Sequence, residues 1–286
     1  MLARRPYGAT GENLSIVGFG GIVVMDATQQ EAAERVAWAV DRGVNYFDIA
    51  PSYGNAQQLL GPALEPHREG VFLACKTEKR DAAGAAEALE DSLRAMRTDR
   101  FDLYQLHAMA TQEDVEQVFG PGGAIETFVK ARESGKVRHL GFSAHSQQAA
   151  VAAMDRFNFD SVLFPVNFAA WNAGDFGPRI LDEAARRNVA RLALKAMAHG
   201  KWPEGAERRW KKVWYEPLSD RRPVELALRW TLSQPVTAAL PPGEWELFQL
   251  AVELAEDFRP ITEAETAELM TFADEEPVFE DKGSAG

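Results

Sequence analysis

The sequence predicts an α/β fold closed as a (β/α)8, or TIM, barrel, and three observations carry that expectation. Eight short runs rich in Val, Ile, Phe and Leu recur along the chain, each of strand length and apolar enough to be buried on both faces. Segments of helical periodicity separate them in strict alternation, which implies parallel strands joined by right-handed crossovers. Eight such units use most of the 286 residues, with no Gly/Ser/Pro-rich linker between them. That repeat fits a closed barrel better than its structural alternative, an open doubly wound sheet.

The strands are expected at residues 15–20, 44–47, 71–75, 101–106, 137–142, 161–166, 189–194 and 236–240. The first helix, residues 31–42, places Ala32, Val36, Ala39 and Val40 on one face. Thr28 and Glu31 spell a capping box at its start, and Gly43 suits the left-handed turn at its end. The other helices are expected at 57–64, 83–96, 125–134, 147–156, 176–187, 223–233 and 244–257. An extra C-terminal helix runs from Thr262 to Ala273. Residues 1–273 therefore read as one domain. Two stretches depart from the pattern. Residues 199–222 form an insertion after the seventh strand, carrying Trp202, Trp210, Trp214 and Tyr215, with seven basic side chains against four acidic. Residues 274–286 form an acidic tail, read as loose or draped over the surface.

The 31 Lys and Arg against 43 Asp and Glu give a net charge of −12, which argues against nonspecific nucleic-acid binding. The lone Cys75 cannot form an internal disulfide, so nothing points to an oxidising compartment. No apolar run approaches the roughly 18 residues of a membrane helix. The Arg4-Arg5 pair lacks the apolar stretch of a secretory signal, and a cytoplasmic location is expected. Zinc-type Cys/His spacing and a phosphate-binding Gly-Lys-Ser/Thr loop are both absent, so no metal is expected.

In a (β/α)8 barrel, chemistry sits where the strands end and the following loops begin. Asp48, Lys76 and His107 lie 28 and 31 residues apart, one βα unit each time, and Tyr53 follows Asp48. The barrel brings all four to one rim. Each also has a plain structural reading: a helix cap, a strand-end lysine, a core imidazole, a half-buried ring. Together they say more. Lys76 at the end of an apolar strand needs a counter-ion, which Asp48 on the adjacent strand supplies. A phenol beside that ammonium is expected to have its pKa pulled down from about 10, toward proton donation near neutral pH. An imidazole across the site can orient a carbonyl oxygen. The set suits carbonyl reduction.

Three stretches carry a family resemblance. They are Gly43-Val44-Asn45-Tyr46-Phe47-Asp48-Ile49-Ala50-Pro51-Ser52-Tyr53-Gly54, the segment from Leu89-Glu90-Asp91-Ser92-Leu93-Arg94 to Thr98-Asp99-Arg100-Phe101-Asp102-Leu103-Tyr104-Gln105-Leu106-His107, and Gly135-Lys136-Val137-Arg138-His139-Leu140-Gly141-Phe142-Ser143. The chain resembles the aldo-keto reductase superfamily over roughly residues 6–260. Tyr7-Gly8-Ala9-Thr10-Gly11 and Gly18-Phe19-Gly20-Gly21 resemble its N-terminal β-hairpin and first strand. The resemblance implies metal-free carbonyl–alcohol interconversion with NADPH or NADH. Tyr53 would be the general acid, Lys76 and Asp48 would tune it, and His107 would orient the carbonyl.

The cofactor side matches the family less closely. Ser143 stands where the nicotinamide carboxamide is bound, but its usual Asn partner is Ala144. The family's Gln on the sixth strand is Leu163, with Asn167 nearby as a substitute, and the stacking ring is Leu194, followed by Lys195. Pro241-Pro242-Gly243-Glu244-Trp245 corresponds to the adenosine-phosphate loop, where the expected base is Gln249. Glu244 would repel a 2′-phosphate yet accept a hydrogen bond from the diol of NAD. Lys201, Arg208, Arg209, Lys211 and Lys212 of the insertion could supply phosphate contacts. The alternative there is a solvated helix packed on the barrel. His145 is a further pocket candidate. Cys75 should be a buried, inert thiol, and His67 and His139 surface or packing residues.

The leading function is thus NAD(P)H-dependent reduction of a small aldehyde or ketone. The alternative is a nicotinamide-binding, redox-sensing barrel with little turnover. A sugar isomerase would need a carboxylate base or metal at the rim beyond Asp48. Substrate identity and oligomeric state are not legible.

Overall fold

A computed structural model of the chain describes residues 1–273 and 277–280. Eight strands form one parallel sheet in the order β12-β9-β8-β7-β6-β5-β4-β3. They are β3 (Phe19–Gly20), β4 (Tyr46–Ile49), β5 (Phe72–Thr77), β6 (Phe101–Met109), β7 (Val137–Ala144), β8 (Ser161–Pro165), β9 (Ala190–Leu194) and β12 (Ala238–Leu240). The two ends of the sheet meet at a parallel bridge between Val17 and Ala239, with Gly18 N donating to Ala239 O and Ala239 N to Ile16 O. That bridge makes the sheet a barrel. Six of the eight expected strands pair over most of their predicted length, and the second, expected at 44–47, lies two residues later at Tyr46–Ile49. The first shortens to Phe19–Gly20, because residues 15–18 serve the N-terminal hairpin and the closing bridge.

Helices α1 (Gln29–Asp41), α2 (Ala56–Leu64), α3 (Ala82–Ala95), α5 (Ala124–Glu133), α6 (Gln147–Arg156), α8 (Pro178–Arg186), α9 (Arg221–Ser233), α10 (Trp245–Glu256) and α11 (Glu263–Met270) lie where periodicity places them. The Thr28/Glu31 capping box forms, and Gly43 takes a φ of 91°. Two helices go beyond the expectation. The helix α4 (Gln112–Phe119) starts at a Thr111/Asp114 capping box, and α7 (Phe168–Gly174) starts at Asn167.

Strand alternation divides the apolar residues into two layers. Phe47, Leu73, Cys75, Tyr104 and Phe142 point outward and pack under the helices, while Tyr46, Phe72, Ala74, Leu103, Leu163 and Leu192 fill the barrel interior. The hairpin of β1 (Arg4–Pro6) and β2 (Asn13–Ser15) plugs the floor. Tyr7, fully buried at its turn, donates to Ser161 Oγ at 2.7 Å and packs against Phe72. With the floor filled, polar inward residues can gather only at the C-terminal ends of the strands.

Residues 199–222 do not contain the alternative helix. Their framework is an antiparallel hairpin of β10 (Ala198–Lys201) and β11 (Tyr215–Pro217), with residues 202–214 forming its tip. The tail expectation divides. Residues 274–276 and 281–286 lie outside the described residues, while Phe279 stacks on Phe176 with ring centroids 5.2 Å apart, which favours the draped alternative over the loose one for that segment.

Candidate active site

On β4, Tyr46 and Asp48 share the inward face, as do Ala74 and Lys76 on β5 and Gln105 and His107 on β6. Parallel register sets these pairs side by side. Lys76 and Asp48 are each 1% exposed and form a buried ion pair through Nζ and Oδ1. The other carboxylate oxygen accepts from Gln105 Nε2 at 3.0 Å and from the Tyr46 hydroxyl at 3.3 Å. A buried charge persists when its remaining lone pairs are hydrogen-bonded, and here they are. Gln105 and Tyr46 had a signal in the sequence: each stands two residues from a rim residue on the same strand face.

Burial works against the Lys76 charge, yet Asp48 and Tyr53 outweigh it and hold the ammonium above its usual pKa. Its Nζ lies 5.0 Å from the Tyr53 ring centroid. Burial raises the Tyr53 phenol above its ordinary value, with Lys76 opposing and Asp48 adding to the rise. This corrects the sequence expectation: the ammonium limits the rise without reversing it. The phenol therefore stays protonated at neutral pH and remains a donor.

His107 meets the Tyr53 ring edge-on at 5.9 Å. Its Nδ1 lies 3.5 Å from Ser52 Oγ and 3.4 Å from Glu78 Oε1, which leaves Nε2 for the cavity. Burial, then the nearby Lys76, pushes its pKa down to about 3, so the ring is neutral at pH 7. The strand register shifts between Leu106 and Met109, and Ala108 takes a φ of 55°. Such a bulge re-aims the side chains beside it. Ala108 N donates to Ser143 Oγ at 2.8 Å, tying the bulge to the next strand.

These residues open on a cavity of about 200 Å³ whose wall includes Tyr53, Lys76, His107, Ser143, His145 and Lys195. Leu163, Leu194 and the run from Leu240 to Gly243 line one side, and Val213, Trp214 and Tyr215 of the hairpin cover the mouth. Lys212 fastens that cover: its Nζ donates to Met25 O at 2.6 Å, and its backbone N donates to Glu244 Oε1 at 2.7 Å. Glu244 is thus engaged with the hairpin. Asn167 lies outside the cavity wall. Its amide caps α7 by accepting from Ala169 N and Ala170 N, and it donates to Lys195 O and Ala198 O. Cys75 is fully buried, its pKa pushed up to about 12 chiefly by that burial. Among the described residues no group of His, Cys, Asp and Glu could hold a metal ion.

The aldo/keto reductase family model matches residues 17–269. This chain belongs to the aldo/keto reductase family. Over 302 aligned residues it is 24% identical to the uncharacterised oxidoreductase YqkF of Bacillus subtilis, covering 94% of this chain and 96% of that one. A 137-residue stretch is 34% identical to the methylglyoxal reductase YeaE of Escherichia coli, covering 46% of each chain. Among solved structures, the holo form of the aldo-keto reductase AKR11C1 from Bacillus halodurans superposes with a TM-score of 0.74 at 21% identity, covering 99% of this chain and all of that one. An aldo-keto reductase from Klebsiella pneumoniae, solved with NADPH, superposes with a TM-score of 0.72 at 19% identity, covering 97% of each chain. Family membership makes this chain an oxidoreductase of the aldo/keto reductase type, and the Klebsiella relative is one solved with a nicotinamide cofactor.

The walls fit such a group. The N-terminus of the twelve-residue α10 has no side-chain cap, so its first amides are free to face a phosphate. Gly243 before it packs so tightly on Ile22 that an added Cβ would lie 2.3 Å from Cγ2. Ser143 presents a hydroxyl to the cavity, and Leu163 and Leu194 offer an apolar face to a flat ring.

Proposed function

We propose that this enzyme reduces an aldehyde or ketone to an alcohol with NADH or NADPH, with Tyr53 as general acid. One observation carries the reading: the buried row of Asp48, Lys76 and the Tyr53 phenol, with His107 beside it, opens on a single cavity. Ser143, Gly243, the α10 N-terminus and Glu244 would hold the cofactor. Lys195 borders it, and Asn167 contributes by fixing the Lys195 backbone. The reduced nicotinamide, when bound, supplies the hydride.

The protein manages the oxygen. Tyr53 donates a hydrogen bond to the carbonyl oxygen, and the neutral His107 donates another from Nε2, in the tautomer whose Nδ1 accepts from the Ser52 hydroxyl; together they set its direction. As negative charge develops there, Tyr53 transfers its proton, and the alcohol is formed. The phenolate left behind sits beside the Lys76 ammonium, which offsets its charge in a site screened from water. Asp48 keeps that ammonium charged and in place. Water then returns a proton to Tyr53.

The test is Tyr53→Phe. Following NADPH and NADH oxidation with a panel of aldehydes, kcat should fall by about 10²- to 10⁴-fold while cofactor Kd stays near wild type. Wild-type turnover in the variant removes Tyr53 from the mechanism. Cofactor binding by the wild type with no turnover on any carbonyl favours a redox-sensing barrel instead.

A further inference from the structure

Two cations of the cavity wall lie outside the proton transfer, and of these Lys212 spends its ammonium on the carbonyls of Val23 and Met25, which leaves Lys195. Asp48 is the carboxylate beside Tyr53 and Lys76, and its oxygens are committed to Lys76, Gln105 and Tyr46. Lys195, at the end of β9, reaches toward the same space, half-buried, and among the described residues its ammonium has no ion pair with a carboxylate. Its neighbours are ring faces: Nζ lies 4.7 Å from the Tyr215 centroid and 5.3 Å from that of Trp214. His107 and His145 beside it are neutral at pH 7, with pKa values pushed down to about 3 and about 4 by burial first. Among the described residues of the cavity wall, no carboxylate pairs with Lys195.

Its backbone is held in place. Lys195 has a φ of 64°, a left-handed conformation unusual for a side-chain-bearing residue. Asn167 Nδ2 and Ala198 N both donate to its carbonyl, at 3.1 and 2.9 Å, and so fix that conformation. The fold thus directs a cation into an aromatic-walled space without supplying a counter-ion. Burial and Lys76 lower its pKa to about 8, the mark of a charge lacking a partner. A bound anion would relieve this.

We propose that Lys195 is the recognition point for an anionic substituent of the carbonyl substrate, so that the preferred substrate is a small aldehyde or ketone bearing a carboxylate or phosphate. The inference rests on the reductase reading above and deepens it. The ammonium donates charge-assisted hydrogen bonds to the anion, while Tyr53 and His107 hold the carbonyl oxygen at the other end. The cavity of about 200 Å³ limits the spacer to a few bonds. The buried Tyr215 ring shields one side of the ammonium from water, which strengthens its grip on an anion.

Matched pairs test this: 4-oxobutanoate against butanal, and glyceraldehyde 3-phosphate against glyceraldehyde. Wild type, Lys195→Met and Lys195→Arg are compared at saturating cofactor. In the wild type, kcat/KM for the anionic member of one pair should exceed that of its neutral partner by about 10- to 100-fold. Lys195→Met should bring the ratio close to one through KM, and Lys195→Arg should keep most of it. The pair with the larger ratio assigns carboxylate or phosphate. A wild-type ratio near one, or a ratio unmoved in Lys195→Met, overturns the proposal. So does an effect confined to cofactor Kd, which would set Lys195 against the cofactor's own phosphates. Calorimetric titration with succinate and with its diamide separates the two readings, since neither can be reduced. Succinate binding that depends on Lys195, with no carbonyl reduced, keeps the anion site and defeats the reductase reading. Butanal and glyceraldehyde turned over with ratios near one does the reverse.

Discussion

Replacing Lys76 with Met removes the only cation that touches Asp48 among the described residues and leaves its carboxylate among Gln105, Tyr46 and apolar barrel walls. The cost can be worked in two ways. An aspartate in water has a pKa near 4, so keeping it neutral at pH 7 costs about three pH units, or about 4 kcal/mol. The lost attraction between unit charges about 4 Å apart is also about 4 kcal/mol at an effective dielectric of 20. The two routes describe the same loss and agree. Unfolding entropy for 286 residues is about 0.6 kcal/mol/K, so Tm should fall by about 7 °C. Circular-dichroism melting of Lys76→Met, Asp48→Asn and the double variant at pH 7 measures this. The double variant replaces both charges with neutral groups and should regain more than half of the Lys76→Met loss. A double variant melting as low as or lower than Lys76→Met refutes the argument, because the penalty would then lie in packing and not in an orphaned charge.

The remaining predictions use the same geometry. His107 and His145 stay neutral down to about pH 3 and 4, so kcat for a neutral aldehyde should show no inflection near 6.5 between pH 5 and 8. Because both pKa values are lowered on folding, the unfolded chain binds more protons below about 6.5. The stability these residues contribute is present above 6.5 and lost as pH falls toward 4 and 3, which melting at stepwise pH will show. Preference for an anionic substrate should fade as pH rises through about 8, where Lys195 loses its proton, and a preference constant to pH 9.5 contradicts that assignment. Gly61→Ala would set a Cβ 2.3 Å from Ala95 O between α2 and α3 and should cost about 1–3 kcal/mol; an unchanged Tm means the helices can part freely. Replacing Arg208, Arg209 and Lys211 together with Ala should raise cofactor Kd at low salt and less at high salt, and an unchanged Kd by fluorescence titration removes the basic hairpin tip from phosphate binding.

What was legible in the sequence follows from strand alternation. One βα unit between Asp48 and Lys76, and another between Lys76 and His107, becomes adjacency as soon as strands are parallel and in register, so the row of Asp48, Lys76 and His107 needed only the fold. The Tyr53 pKa was misjudged because sequence shows which charges are near, but not how much water is removed, and burial outweighs Lys76. Asn167 was read as a cofactor contact from its position after β8; its amide instead serves four backbone groups, a role set by how α7 and the β9 loop happen to meet. The left-handed turns at Ala108 and Lys195 were invisible because neither residue is glycine. Lys195 lines the cavity and Ala108 follows His107, which does; at both strand ends tertiary hydrogen bonds override local preference.

The hairpin over the mouth bears most directly on function. Its composition suggested a basic patch for an anionic cofactor, yet Lys212 spends its ammonium on the carbonyls of Val23 and Met25, and Glu244 accepts the Lys212 amide. A carboxylate so engaged is less available to the ribose diol of NAD, and it also shields the α10 N-terminus less from a phosphate. Glu244 can thus bear on cofactor choice through its charge, or on the hairpin through the Lys212 amide. Glu244→Gln keeps a side-chain acceptor for the Lys212 amide and removes only the charge. If Glu244 opposes a 2′-phosphate electrostatically, the variant should tighten NADPH over NADH by about 5- to 10-fold at low ionic strength, in keeping with one partly screened charge pair. If its service is to fasten the hairpin, the two Kd values should move together. An unchanged NADPH to NADH ratio would refute the electrostatic reading.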